Sequence, residues 1–403
     1  MRNRLKYAKV SAMSLAVVTA GMTGFASASV NSGVADNLAD SITQALTSGK
    51  VYGDLRLRYE NVDQDNSLDD ANALTLRTRL GYQTGAYEGL SATLEMEDAR
   101  VVAGQDDYGL PGPNRPAGYV HDTSIVADPE VTELDQAFLQ YKHGQLTAKV
   151  GRQVLTYDNH RFVGHVGWRQ DRQTFDGVTL KYSPYKNLEL NYAYLDQRNR
   201  IFGEEADIDS KDHLINVSYN TDLGKLASYA YLLEENVSEK AYDTYGLRFS
   251  GAQTLDRAKV LYTAEYAYQE YENAGNTLES TYMLLEGGAK VSGVTVKLGY
   301  ELLGSDEGRY GFSTPLATLH KFNGWTDQFL GTPNDGLQDL YLSLATKVVG
   351  GKLVVAYHDF SADESGPADD LGSEIDILYA KKFTENYSAG LKYGAYSAGD
   401  DAA

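Results

Sequence analysis

The stretch Val294-Thr295-Val296-Lys297-Leu298-Gly299-Tyr300-Glu301-Leu302 decides the fold. Apolar side chains hold every second position, and Thr, Lys, Gly and Glu stand between them. Side chains of an extended chain point alternately to its two faces, so this segment predicts a strand with one apolar and one polar face. The pattern recurs. Leu55, Leu57 and Tyr59 alternate with Arg56, Arg58 and Glu60. Leu74, Leu76, Leu80 and Tyr82 alternate with Thr75, Arg77, Arg79 and Gln83. Leu90, Ala92, Leu94 and Met96 alternate with Ser91, Thr93, Glu95 and Glu97. A soluble sandwich turns its polar face to water. A membrane barrel turns its apolar face to lipid and its polar face to a lumen.

Connection lengths separate the two. Short turns at 85–89, 142–145, 184–187, 220–224, 251–256, 292–293, 350–351 and 384–386 alternate with long connections. These run over 64–72, 103–131, 154–172, 200–212, 234–242, 270–277, 304–336 and 361–372. Alternating short and long connections mark an outer-membrane barrel, with periplasmic turns and extracellular loops. All eight Pro residues fall outside the strands predicted from this alternation, as sheet pairing favours. The reading is all-β: a transmembrane antiparallel up-and-down β-barrel of about eighteen strands. Seventeen strands are readable. The seventeenth, 386–396, runs outward like the first, and such barrels have even strand numbers, so a closing strand is expected beyond residue 403.

The start of the chain has its own logic. Arg2, Arg4, Lys6 and Lys9 precede an uncharged apolar run from Val10 to Ala20, and Ala26-Ser27-Ala28 supplies a cleavage site. Residues 1–28 are therefore expected to be a signal peptide. Residues 29–50 follow, with Val34, Leu38, Ile42, Ala45 and Leu46 at helical spacing and Gly49 as a stop; they predict a short periplasmic amphipathic helix. Residues 51–403 form the barrel. No segment reaches the ~18 apolar residues of a membrane-crossing helix.

The chain of 403 residues has 36 Lys and Arg against 56 Asp and Glu, and no Cys. The absence of Cys excludes disulfides, thiolate metal sites and a Cys nucleophile. A formal charge of −20 argues against nucleic-acid binding. Tyr is abundant, 31 against 11 Phe and 2 Trp, as strands and membrane girdles favour. Much of the acid lies in the long connections: Asp63, Asp65, Asp69 and Asp70; Glu204, Glu205, Asp207 and Asp209; Asp363, Glu364, Asp369 and Asp370. These read as solvated loop tips rather than a metal cage.

Two stretches depart from alternation, and each holds one Trp. The first contains Gly151-Arg152-Gln153, Asn159-His160-Arg161-Phe162-Val163-Gly164, Gly167-Trp168-Arg169-Gln170 and Gln173-Thr174-Phe175-Asp176-Gly177. It resembles the alginate-export-type outer-membrane porins. The second is Phe312-Ser313-Thr314-Pro315-Leu316-Ala317-Thr318-Leu319-His320-Lys321-Phe322-Asn323-Gly324-Trp325, similar to a subgroup of that family whose members mostly have no assigned substrate. The resemblance runs from about Val51 to the end of the chain. It implies a monomeric eighteen-stranded barrel in the Gram-negative outer membrane. The family's namesake exports an anionic polysaccharide through a lumen rich in Arg and Lys. By resemblance, Arg152, Arg169, Arg172 and Asp176 line or brace the lumen.

Alternation then assigns a constriction. Arg56, Arg58, Arg77, Arg79, Lys149 and Lys297 are expected inward, as are Glu95, Glu97 and Glu301. The four Arg of neighbouring strands form a cluster, and Glu95 and Glu97 on the next strand are expected to pair with Arg77 and Arg79. In the longest connection, Leu316, Leu319, Phe322, Trp325 and Phe329 stand at roughly helical spacing. They are expected to form a short helix that gates the mouth, with outward packing against lipopolysaccharide as the competing view. Seven His are present, no His-centred triad is evident, and His358-Asp359 would point to opposite strand faces. No cofactor motif or metal-ligand spacing appears. The expectation is a passive channel for polar, anionic solutes or saccharides. Its surroundings would be outer-membrane lipid and lipopolysaccharide, with periplasmic export partners possible. An unselective uptake porin is the alternative; a barrel hydrolase is the alternative of another class.

Overall fold

The computed structural model describes residues 7–18, 34–110, 122–366 and 369–399. A strand β1 (Tyr7–Val18) and the helix α1 (Val34–Thr47) precede the main sheet. The sheet then runs through β2 (Lys50–Asp63), β3 (Ala71–Gln83), β4 (Leu90–Asp107), β5 (Val131–His143), β6 (Leu146–Gln153) and β7 (Thr174–Tyr185). It continues through β8 (Leu188–Asn199), β9 (Ile208–Asn220), β10 (Lys225–Glu234), β11 (Ala241–Leu255), β12 (Ala258–Asn273) and β13 (Asn276–Val291). The last are β14 (Val294–Leu303), β15 (Leu337–Val348), β16 (Gly351–Ser361), β17 (Asp370–Lys382) and β18 (Tyr387–Ser397).

All eighteen strands lie in one antiparallel sheet, and from β2 to β18 each pairs with the next in sequence. The seventeen strands after α1 do not close on themselves: among the described residues no pairing joins β2 to β18. Instead β1, from the stretch read as an export signal, pairs with both. Among the described residues no helix is long and apolar enough to cross a membrane. α1 lies within 29–50, and its end rests on the β3–β4 turn, where the Gly85 N–H donates to the Ala45 carbonyl at 2.8 Å.

Burial follows the alternation. On β14, Leu298 is 57% exposed while Glu301 is 3% exposed. Leu80, Leu94, Leu139, Leu247, Leu285 and Leu342 are likewise exposed, and Arg58, Glu97, Thr244 and Asp339 are buried. An apolar band this extensive is tolerable only against hydrocarbon. The sheet therefore turns its apolar face out and its charges in. Tyrosines fill part of the interior by lying over glycines of the next strand. Tyr229 faces Gly246 across β10–β11, and Tyr341 faces Gly299 across β14–β15. A Cβ at either glycine would stand within 2.2 Å of the Tyr ring.

Short turns gather at one end of the sheet and long connections at the other. Two long connections, 154–173 between β6 and β7 and 304–336 between β14 and β15, fold back into the interior. Gly151 lies near the end of β6, just before the first. Its φ of +117° suits glycine, and a Cβ there would meet the Ala137 carbonyl oxygen at 2.2 Å. Gly151→Ala should therefore destabilise the barrel by about 1–3 kcal/mol, lowering the temperature at which it loses its compact electrophoretic migration. Gly287→Ala, with nothing within 4 Å of the added Cβ, should leave that temperature unchanged.

Candidate functional site

The wall of the site is the inward face of β2, β3 and β4. Arg56 stands directly opposite Arg77 in register, and Asp54 opposite Arg79. Arginines this close in a confined space need anions. Arg79 pairs with Glu97, Arg77 with Asp54, and Arg58 with Glu60 and with Asp128 at 2.9 Å. Arg56 finds no carboxylate within ion-pair distance among the described residues. Its guanidinium donates instead to loop carbonyls, Gly167 at 3.1 Å, Arg169 at 3.2 Å, and Trp168.

The β6–β7 loop crosses this wall and meets the β14–β15 loop. Val163 and Leu316 form a bridge, the Gly164 N–H donates to the Leu316 carbonyl at 2.7 Å, and the Thr318 N–H donates to the His160 carbonyl at 3.0 Å. Phe162, Phe312 and Leu316 form an apolar cluster with Tyr229 and Tyr282 of the wall. Arg169 is the polar centre: it reaches Glu60 of β2 at 3.1 Å and Asp327 of the other loop at 2.5 Å. Asp327 lies 2.6 Å from His320 Nδ1. His320 Nε2 lies 2.5 Å from Lys392 Nζ of β18. The His320 ring stacks on Trp168 at 4.8 Å. Lys392 sits between Trp168 and Trp325, 4.2 and 4.1 Å from their ring centres, in cation–π contact with both.

Protonation follows from these contacts. Burial pushes the His320 imidazole down to about 3. The neutral ring donates from Nδ1 to Asp327 and accepts at Nε2 from the Lys392 ammonium. Burial opposes the charge on Asp327, but His320 and Arg169 outweigh it and hold the carboxyl well below its usual range.

The far wall holds the second loop. Arg161 pairs with Glu301 at 2.9 Å and donates to Asn323 Oδ1 at 3.0 Å. Asn323 donates to Glu301 at 2.8 Å and Asp339 at 3.2 Å. Glu374 accepts from the Thr326 N–H at 2.9 Å and the Thr326 hydroxyl at 2.5 Å.

The two loops thus bring together most of the expected residues. Arg172 lies in the first loop, joined to Glu95 and, through Nε at 3.0 Å, to Asp135. Glu95 therefore takes Arg172 as its ion pair, where Arg77 was expected. Lys149 lies 4.5 Å over the Phe138 ring, and Lys297 pairs with Glu286 at 2.9 Å. Arg152 and Asp176 make a two-pronged pair at 2.8 and 2.9 Å. That pair shares the strand face of the exposed Val150 and Val178. It stands opposite the face of Gln153 and Thr179, so the pair does not line the lumen as the resemblance implies. The helix expected from Leu316 to Phe329 is only a single 3-10 turn, Leu319–Lys321. Its side chains pack inward: Phe322 under Arg161 at 4.8 Å, Phe329 on Phe360 at 4.6 Å, Leu316 in the apolar cluster. Asp128, Asp135, Gln170, His320, Asp327 and Lys392 were not among the expected constriction residues. Lys392 is buried on β18, and no local signal in the sequence couples it to the loops.

Removing Arg169 leaves Glu60 and Asp327 buried without it, a change that costs about 3–5 kcal/mol. Arg169→Gln should lower the compact-migration temperature accordingly. The clamp is also acid-sensitive. An imidazole lowered from 6.5 to about 3 opposes folding increasingly as pH falls between those values. The stabilisation from Asp327 is complete above the ordinary carboxyl range and is lost progressively as pH falls from there through its depressed range. Thermal stability should fall as pH drops from 6.5 toward 3, and His320→Gln should flatten that slope.

Comparison with known proteins places this geometry. No curated protein matches the chain. Among solved structures it is similar to Acinetobacter baumannii OccAB4 at 14% identity and TM-score 0.67, covering 87% of this chain and 97% of that one. It is similar to Pseudomonas aeruginosa OpdK with vanillate at 14% identity and TM-score 0.65, covering 88% and 98%. A second structure of the outer membrane protein OpdK gives 13% identity and TM-score 0.64, covering 87% and 99%. At such identity the likeness shows the fold. The family model described as alginate export matches residues 47–306. The chain belongs to the alginate export family of outer-membrane barrel channels.

Proposed function

We propose that the protein is a passive outer-membrane channel for polar, anionic solutes, organic acids or acidic saccharides. The observation that carries this reading is the balance of paired and unpaired charge inside the barrel. Most inward carboxylates already hold a cation: Glu60, Glu95, Glu97, Glu265, Glu286 and Glu301 are all in ion pairs. Inward cations that hold no carboxylate among the described residues include Arg56 of β2, Lys149 of β6 and Lys321 at the turn of the second loop. Lys321 is exposed, and its Nζ donates to the Asn159 carbonyl at 2.7 Å. A solute carboxylate would complete these groups, and guanidinium binds carboxylate with two parallel hydrogen bonds. A channel of the same fold, OpdK, has been solved with vanillate, which is itself a carboxylate.

Fixed charge of one sign along a narrow path sets ion selectivity. In a planar bilayer with a salt gradient, the reversal potential should report anion preference. The triple variant Arg56→Gln, Lys149→Gln, Lys321→Gln should move that potential toward the cation side while conductance persists. Cation preference in the unaltered protein would overturn the reading.

A further inference from the structure

Charge is segregated along the barrel axis. At the short-turn end, lysines project from the inward face of successive strands. Lys259 of β12 stands directly opposite Lys290 of β13, and Lys347 of β15 directly opposite Lys352 of β16. All four are exposed, and none has a carboxylate within ion-pair distance among the described residues. Lys142 and Lys382 occupy the same inward level on β5 and β17. Like charges directly opposite on neighbouring strands destabilise a sheet, so nothing in the fold itself accounts for these pairs. The carboxylates nearby are already engaged or peripheral. Glu189 holds Lys181 and Glu286 holds Lys297, while Asp222, Asp256 and Glu385 sit in the turns. The long-connection end has the opposite sign. Asp65, Asp69, Glu204, Glu205, Asp363 and Glu364 crowd its loops, and Lys240 and Arg309 offset only part of that charge.

We infer that the two mouths collect opposite ions, and that the barrel is a rectifying channel whose lysine-lined periplasmic vestibule gathers anions for outward passage. This rests on the channel reading above and goes beyond it, by giving the conduction path a direction. A mouth lined with one sign of charge raises the local concentration of counter-ions. Anions fill the lysine mouth and cations fill the acidic mouth. When the outer side is positive, both are driven inward toward the middle of the barrel and carriers accumulate. When the outer side is negative, both are withdrawn and the middle is depleted. Conductance is then larger with the outer side positive.

The test is the current–voltage curve of single channels in equal salt on both sides. Orientation is read from a biotin on Val237→Cys, a highly exposed site in the β10–β11 connection of a chain without other Cys, with streptavidin added to one chamber. At 0.1 M salt the current should be larger, by about twofold or more, when the outer side is positive. At 1 M salt, where charges are screened within about 3 Å, the asymmetry should vanish. The quadruple variant Lys259→Gln, Lys290→Gln, Lys347→Gln, Lys352→Gln should conduct symmetrically at 0.1 M and keep its compact migration. A symmetric or oppositely rectified current from the unaltered protein at 0.1 M would overturn the inference while leaving the channel reading intact. No current in either salt would overturn the channel reading and this inference with it.

Discussion

Arg169 links Glu60 on the first wall strand to Asp327 in the opposite loop, the first contact buried and the second part-buried. The charge is worth having there only because of its surroundings. Taking three charges out of water costs several kcal/mol each, and the cost is recovered only where geometry is good and the remaining hydrogen-bonding positions are filled. Here they are filled. Asp327 also takes His320, His320 takes Lys392, and Lys392 lies between two Trp rings. The chain of contacts starts on β2 and ends on β18. The two strands that do not pair with each other are thus connected through the interior by two loops.

That arrangement explains why so many inward charges belong to no solvent path. A wide barrel whose inner wall is polar has two choices: fill with water or fill with chain. This one brings in two connections and gives each a matched wall. The first loop meets the Arg-rich face of β2 to β4 and supplies carbonyls, Arg169 and Arg172. The second meets the carboxylates of β14, β15 and β17 and supplies Asn323 and the N–H groups before and at Thr326, with Arg161 of the first loop reaching the same wall. Charge matching between loop and wall positions the loops. Arg56, Lys149 and Lys321 are left without a carboxylate beside these loops.

Much of the architecture was legible because alternation and connection length are local signals. The segment 294–302 reads as a two-faced strand without reference to any other residue, and the apolar face it presents is the one found exposed. The inward direction of Arg56, Arg58, Arg77 and Arg79 follows from the same count. What was not legible depends on chain that returns from afar. Glu95 was expected to meet Arg77, but Arg172 reaches it from 77 residues away in sequence. Arg152 and Asp176 share the face of the exposed Val150 and Val178, so counting by twos turns them away from the lumen that the resemblance implies. The spacing of Leu316 to Phe329 resembles a helix, yet Pro315, Asn323 and Gly324 break the backbone, with positive φ at both Asn323 and Gly324. Those side chains are spaced for contact with several walls. The segregation of lysines from acids along the axis needs the strand directions as well as the sequence.

The arrangement depends on the two loops lying together inside the barrel. The Val163–Leu316 bridge is their direct backbone contact, and the chain has no Cys to interfere. The double variant Val163→Cys, Leu316→Cys should form an intramolecular disulfide in the folded protein in outer-membrane vesicles, identified by peptide mapping, and should resist a membrane-impermeant maleimide before oxidation. Two free thiols that fail to join and are labelled rapidly from outside would contradict it.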